Sequence, residues 1–210
     1  MKNFNNIKNI IFDLGGVILN IDTQRSINAF TDILGENNKE FVKKYNEFNL
    51  LDRLEKGEIT PEQFRGTLKG IIPQKISDQQ IDTAWNSMLL DFPRERIDLL
   101  YKLKQNYRTF LLSNTNKIHY NFYTKQLNEQ FGIKNLSELF EEEYMSFDLK
   151  MRKPDKEIFH YVLYQNNLLA NETLFIDDTL ENIESAKEIG INTYLLKESE
   201  TINDVLKSQV

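Results

Sequence analysis

The stretch Ile7-Lys8-Asn9-Ile10-Ile11-Phe12-Asp13-Leu14-Gly15-Gly16 decides the architecture. Residues 7–12 form a short run rich in isoleucine that stops at a carboxylate followed by two glycines. That is the pattern of a buried strand ending in a polar, flexible loop. The pattern recurs: residues 107–112 stop at Ser113-Asn114-Thr115, residues 173–176 at Asp177-Asp178-Thr179, and residues 192–196 at Lys197. A weaker candidate, Leu139-Phe140-Glu141-Glu142, carries acidic residues that suit a sheet edge better than its centre.

Between these runs the apolar residues follow helical spacing. Residues 94–105 place Ile97, Leu100, Tyr101 and Lys104 along one side. Residues 155–168 pair Ile158 with Val162 and Phe159 with Leu163, after a Pro154 suited to a helix start. Residues 180–189 carry Ile183, Ala186 and Ile189 and meet Gly190, a natural terminator. Strands alternating with helices of this length predict parallel strands joined by right-handed crossovers, hence a three-layer α/β sheet covered on both faces.

Residues 22–92 do not alternate. They offer only amphipathic segments at 26–34, 38–48, 61–70 and 78–89. The third has the clearest start, with Thr60 as cap, Pro61 at the first helical position and Gln63 at the reciprocal capping-box position. Roughly 70 residues of helix cannot all pack on a five-strand sheet, so a small helical lid over the interrupted loop is the economical arrangement. The expected division is a core of residues 1–20 plus 93–210 and a cap of residues 21–92.

At about 150 residues per domain, 210 residues make one domain, or one with a sizeable insert. Hydrophobic residues at 40% and charged residues at 28% suit a folded globular chain rather than a disordered one. Lys+Arg 26 against Asp+Glu 32 leaves a formal charge of -6. That balance argues against nucleic acid or a membrane surface as a partner, while leaving room for a local positive pocket for one small anion. With no cysteine and 2 histidines, thiolate chemistry is excluded and an imidazole metal cage is poorly supplied, so any metal must be a hard one held by oxygen. The first apolar run, Ile10-Ile11-Phe12, is cut short by Asp13, so neither a signal peptide nor a spanning helix fits and a cytoplasmic protein is expected. Nothing in the sequence fixes an oligomeric state.

In a parallel α/β sheet the ligand site lies beyond the carboxyl ends of the strands. Asp13, Ser113-Asn114 and Asp177-Asp178 fall there, and Lys153 lies in the loop before the 155–168 helix. Singly, each reads equally well as a helix cap or turn residue. Together, three carboxylates at one sheet edge repel one another unless a cation offsets them. Mg²⁺ resolves the repulsion, because it takes carboxylate, carbonyl and phosphate oxygens and needs neither His nor Cys. The Gly15-Gly16 pair lets the backbone turn tightly, so that a carbonyl near position 15 can face the same ion. Ser113, Asn114 and Lys153 supply donors and one positive charge for an anion. The sum is a site for a phosphoryl group.

The motifs Ile11-Phe12-Asp13-Leu14-Gly15-Gly16-Val17, Leu111-Leu112-Ser113-Asn114-Thr115-Asn116, Met151-Arg152-Lys153-Pro154 and Phe175-Ile176-Asp177-Asp178-Thr179, in this order at strand ends, resemble those of the haloacid-dehalogenase-like (HAD) hydrolase superfamily. Within it the chain resembles small bacterial phosphatases of α-D-glucose 1-phosphate and the amino-terminal phosphatase lobe of soluble epoxide hydrolases. The resemblance implies a Rossmann-like core with a C1-type helical cap inserted after strand one. It implies a Mg²⁺-dependent phosphomonoester hydrolase acting on a small phosphorylated metabolite, such as a sugar phosphate. Asp13 would be the nucleophile, forming an aspartyl-phosphate that water then opens. Ser113 would donate to the transferring phosphoryl group, with Asn114 beside it, and Lys153 would balance charge on Asp13 and the phosphate. Asp13, a Gly15 carbonyl and Asp178 would hold the metal, and Asp177 would join them or hold a metal-bound water. Asn182, five residues after Asp177, either returns to the site or is a polar residue of the first helical turn.

Two departures stand out. Most phosphatases of the superfamily read Asp-x-Asp at the first motif, where the second Asp protonates the leaving oxygen; here that position is Gly15. Asp22, at the lid entrance, and His119, after Ser113, are the candidate substitutes, each with an alternative as a helix cap or surface residue. In the third motif Lys150 stands where glycine is usual, so it is strained, the loop has shifted, or it is simply a solvent-facing loop residue. Three other readings stay open. A phosphotransferase or phosphomutase of the same fold would use the same groups. A 2-haloacid dehalogenase gives no reason for the Asp177-Asp178 pair, and a phospho-ligand-binding protein that lacks the general acid has no use for a nucleophile. Trp85, Phe48, Tyr45 and Phe64 either face a substrate or form the lid core.

Overall fold

The computed structural model describes residues 6–35 and 38–207. A five-stranded parallel sheet has the order β3-β2-β1-β4-β5, with β1 (Asn9–Phe12), β2 (Arg108–Ser113), β3 (Glu142–Met145), β4 (Thr173–Asp177) and β5 (Asn192–Leu195). Burial on both faces makes the strands continuous apolar runs. Ile10, Phe12, Leu111, Leu174 and Ile176 face one apolar cluster, and Ile11, Phe110, Leu112 and Phe175 face the other. The first face is covered by α6 (Arg94–Leu103), α7 (Lys117–Phe131) and α11 (Ile202–Leu206); the second by α9 (Lys156–Gln165) and α10 (Leu180–Glu188). A one-turn helix, α8 (Ser146–Leu149), follows β3.

Between β1 and α6 the chain forms α1 (Thr23–Leu34), α2 (Asn38–Glu47), α3 (Leu50–Glu55), α4 (Pro61–Ile71) and α5 (Asp78–Asn86). These helices close on an apolar cluster of their own, with Phe30, Phe41, Phe64, Leu68 and Trp85 among its members, so the core role of Phe64 and Trp85 is the one the structure shows. Phe48 is exposed. The Thr60 capping box forms as expected, Gln63 N–H donating to Thr60 Oγ1 (3.2 Å) and Thr60 N–H to Gln63 Oε1 (2.9 Å). The two connections to the rest of the chain run side by side: Asn20 N–H donates to Asp91 O (3.0 Å), Leu90 N–H to Asn20 O (2.9 Å) and Asp22 N–H to Met88 O (2.8 Å).

Three local expectations need correction. The edge strand is Glu142–Met145, not 139–142, because neighbouring Leu139 and Phe140 both enter the same apolar cluster, which the alternation of a strand would forbid. Pro154 precedes the next helix as expected, but α9 runs Lys156–Gln165 rather than 155–168, with Asp155 at its N-cap position. Tyr101 is exposed, and Leu103 takes its place in the buried stripe of α6. Among the described residues, no helix is long and apolar enough to cross a membrane.

Candidate active site

The carboxyl ends of β1, β2 and β4 meet at one edge of the sheet, which brings Asp13, Ser113 and Asp177 together. Asp13 N–H donates to Ile176 O (2.9 Å), extending the β1–β4 ladder by one step and fixing where its side chain starts. Gly16, not Gly15, makes the tight turn: its φ is +73°, and a Cβ there would lie 2.1 Å from Asp178 Oδ2. Gly15 lies outside the positive-φ region, and a Cβ on it would meet only the side chain of Ile21, at 3.3 Å from Cδ1.

Lys153 is 1% exposed, and each of its three ammonium hydrogens has an acceptor: Asp13 Oδ1 (2.7 Å), Asp177 Oδ2 (2.7 Å) and Leu112 O (2.9 Å). Its donors are therefore committed to the protein, which leaves its charge, as expected for Lys153, to balance the carboxylates. Asn114 holds the same loop: its Nδ2 donates to Lys153 O (2.8 Å) and its Oδ1 accepts from Lys153 N–H (2.9 Å), so its amide clamps the lysine backbone with one of its two N–H groups.

Asp177 is fully buried. Thr179 N–H donates to its Oδ1 (2.8 Å), and Asn182 Nδ2 reaches both oxygens (3.2 and 3.0 Å). Asn182 thus returns to the site, by orienting Asp177. Asp178 sits at the surface end of the loop, where it accepts from Thr179 Oγ1 (3.3 Å). One carboxylate oxygen from each of Asp13, Asp177 and Asp178 lies within 4.8 Å of the others. Burial pushes Asp13 up to about 7; Lys153 pulls against this, and Asp177 and Asp178 add to it. Burial, then Asp177, also raises Asp178. Burial alone would depress Lys153, but Asp13 and Asp177 hold its ammonium above the usual lysine range. Three carboxylates facing one ammonium leave an excess of negative charge, and the hard oxygen donors fit a small divalent cation.

Above this edge lies a cavity of about 470 Å³, with Gly15, Ser113, Asn114 and Thr115 on the sheet side and Tyr45, Leu51, Glu55, Trp85 and Met88 on the helical side. His119 also lines it. Its Nε2–H donates to Trp85 O (3.2 Å), its ring stacks on Trp85 with centroids 5.2 Å apart, and burial pushes the imidazole down to about 4. A neutral ring whose only N–H is engaged is a poor general acid. Asp22 caps α1 by accepting from Gln24 N–H (3.0 Å), pairs with Arg25 at 3.5 Å, and does not line the cavity. Lys150 is exposed with φ +56°, in the left-handed region where glycine is favoured.

Sequence reasoning passed over Glu55 and Arg152. Arg152 Nη1 donates to Asp52 Oδ1 (2.7 Å) and its Nη2 lies 2.9 Å from Glu55 Oε2, tying α3 to the loop that carries Lys153. The signal was Leu51 and Glu55 at four-residue spacing, one helix face lining the cavity.

Comparison with known proteins adds identity to this geometry. The chain is 30% identical over 188 residues to a D-ribitol-5-phosphate phosphatase of Bacteroides thetaiotaomicron, covering 90% of this chain and 91% of the relative. It is 26% identical to a sesquiterpene phosphatase of Aspergillus oryzae, covering 88% of this chain and 87% of that one. A HAD family enzyme from Bacteroides thetaiotaomicron, solved in complex with magnesium and inorganic phosphate, superposes with a TM-score of 0.83 at 39% identity, over 95% of this chain and 98% of that one. The family model of haloacid dehalogenase-like hydrolases matches residues 7–190, and the chain belongs to that family.

Proposed function

We propose that the protein is a Mg²⁺-dependent phosphatase that hydrolyses the phosphate ester of a small hydroxylated metabolite, a sugar or sugar-alcohol phosphate, through an aspartyl-phosphate on Asp13. The observation that carries the proposal is the buried Asp13–Lys153–Asp177 chain, with Asp178 alongside and Ser113 on the floor of the cavity above. The similarity to a phosphatase of D-ribitol 5-phosphate supports the sugar-alcohol substrate. We divide the chain into a catalytic core, residues 1–20 plus 93–210, and a substrate-selecting cap, residues 21–92.

Asp13, Asp178 and the Gly15 carbonyl would hold the ion, and Asp177, whose oxygens are occupied by Lys153, Thr179 and Asn182, would orient the set. Bound there, the cation supplies Lewis-acid neutralisation of the phosphoryl oxygens. Lys153 favours the ionised form of Asp13 against its burial and fixes the direction of its Oδ1, leaving the other oxygen to attack phosphorus. Ser113 donates its hydroxyl to a phosphoryl oxygen; the N–H groups of Ile118 and His119 at the start of α7 are taken by the Asn116 side chain. Water then opens the acyl-phosphate.

The test is phosphate release from D-ribitol 5-phosphate and α-D-glucose 1-phosphate. Activity should vanish with EDTA, return with Mg²⁺, and be lost in Asp13→Asn while the fold is kept. Turnover by Asp13→Asn near the wild-type rate, with deamidation excluded, would refute the mechanism.

A further inference from the structure

We propose that Glu55 is the general acid and base of the reaction, performing from the cap the duty for which position 15 has no side chain. The inference rests on the phosphatase reading above. Glu55 closes α3 on the helical side of the cavity that Gly15 and Ser113 also line, so it borders the space where the leaving group would lie. Its side chain is only 13% exposed.

The Oε2 atom is buried and has no hydrogen-bond partner among the described residues, although Arg152 Nη2 lies 2.9 Å away. Arg152 gives its aligned hydrogen bond to Asp52 instead. Burial pushes Asp52 up, but Arg152 and Lys56 together outweigh it and hold the carboxyl below the usual range, whereas burial raises Glu55 against the pull of Arg152 and Lys153. The groups facing Glu55 are Arg152 and Lys153 from the loop after α8, Asp52 on its own helix, Tyr45 from α2, and His119, neutral, across the cavity. A carboxyl ion-paired to Arg152 yet raised by burial, on the lining of the cavity that Ser113 also lines, is placed to exchange a proton with a bound leaving group.

The position of Glu55 is also fixed. Just beyond it, Gly57 has φ +61° and packs so closely on the core that a Cβ there would lie 2.2 Å from Phe147 O. Lys56 adds contacts to Asp52 (3.6 Å) and to Asp155 (3.8 Å) at the start of α9. The end of α3 is thereby seated on the core, as a group that must meet a reacting atom requires.

In the first step an oxygen of Asp13 bonds to phosphorus as the bond from phosphorus to the alcohol oxygen breaks. The electron pair stays on the alcohol oxygen, which takes the proton of the Glu55 carboxyl. In the second step the Glu55 carboxylate takes a proton from water as the water oxygen bonds to phosphorus and the Asp13–phosphorus bond breaks. Alcohol, inorganic phosphate and the starting forms of both carboxyl groups result.

The experiment compares Glu55→Gln with wild type, both loaded with Mg²⁺, on phenyl phosphate and on 2,4-dinitrophenyl phosphate. General acid-base catalysis supplies about 10²–10⁴-fold, so single-turnover cleavage of phenyl phosphate should fall by at least about 10²-fold. Dinitrophenol needs no proton to leave and should be released in a burst of one per enzyme, followed by slow phosphate release as acyl-phosphate accumulates. Glu55→Asp should recover part of the phenyl phosphate rate, and serves alone if Glu55→Gln does not fold by circular dichroism. Equal loss on both substrates without a burst would show a purely structural role and overturn the proposal, as would an unchanged phenyl phosphate rate. Asp13→Asn, run in parallel, should be inactive on both substrates, so failure of the nucleophile assignment appears separately from failure of Glu55.

Discussion

Replacing Gly16 by alanine tests the geometry of the proposed cation site. Gly16 has φ +73°, and the left-handed region costs a non-glycine residue about 1–2 kcal/mol. At roughly 2–4 °C per kcal/mol for a chain of this size, that strain should lower the melting temperature by about 2–8 °C. The new methyl would also meet Asp178 Oδ2 at 2.1 Å, whereas carbon contacts are comfortable only near about 3.5 Å, so the carboxylate must retreat by over about 1 Å. Even loss of a group that merely orients a ligand weakens metal binding by about 10–100-fold, so displacing Asp178 should weaken Mg²⁺ by about 10²-fold or more. Calorimetric titration with Mg²⁺, beside a thermal melt, reads both effects. Gly132→Ala is the matched control: φ is again +73°, but nothing lies within 4 Å of its added Cβ. It should lose comparable stability and keep its affinity. Wild-type Mg²⁺ affinity in Gly16→Ala, or an equal loss in Gly132→Ala, would refute the reasoning.

Two further outcomes are open to measurement. His119 titrates at about 4 in the fold, because burial disfavours its charge, and near 6.5 unfolded, so the unfolded chain binds the extra proton between those values. The stability His119 contributes is complete above pH 6.5 and lost as pH falls towards 4, a drop of up to about 3 kcal/mol. Denaturant melts of wild type and His119→Gln should show that difference in slope, and parallel curves would exclude it. Lys150→Gly removes a strained left-handed lysine at φ +56° and should stabilise the protein by up to about 1 kcal/mol, measured by urea unfolding. A destabilised variant would mean that the lysine side chain contributes more than its backbone strain costs.

The strands were legible because a parallel strand buried on both faces is a continuous apolar run, and here each of three such runs ends abruptly in the polar residues of the site. The Thr60 capping box was legible because both of its partners lie within four residues. What stayed hidden depends on contacts remote in sequence. Nothing near Asn114 shows that its amide grips a backbone 39 residues away, and nothing near Lys153 shows that its three hydrogens are spoken for. Glu55 was invisible for the same reason: residues 50–55 fall between the expected amphipathic segments, and only the packing of α3 brings Glu55 to the cavity that Ser113 also lines. Beyond its first turn α7 left little trace, since an aromatic, Phe122, lies on its exposed face and blurs the helical stripe.

Trp85 is the only tryptophan of the chain, and it sits between the aromatic packing of the cap and the roof of the cavity, against His119. Its fluorescence therefore comes from a single place, the contact between α5 and His119 of α7. Loss of that contact would wet the indole and shift its emission to the red, and a charged imidazole at 5.2 Å would quench it. The molecule carries an optical reporter of that contact, readable in a stopped-flow mixing experiment without any label.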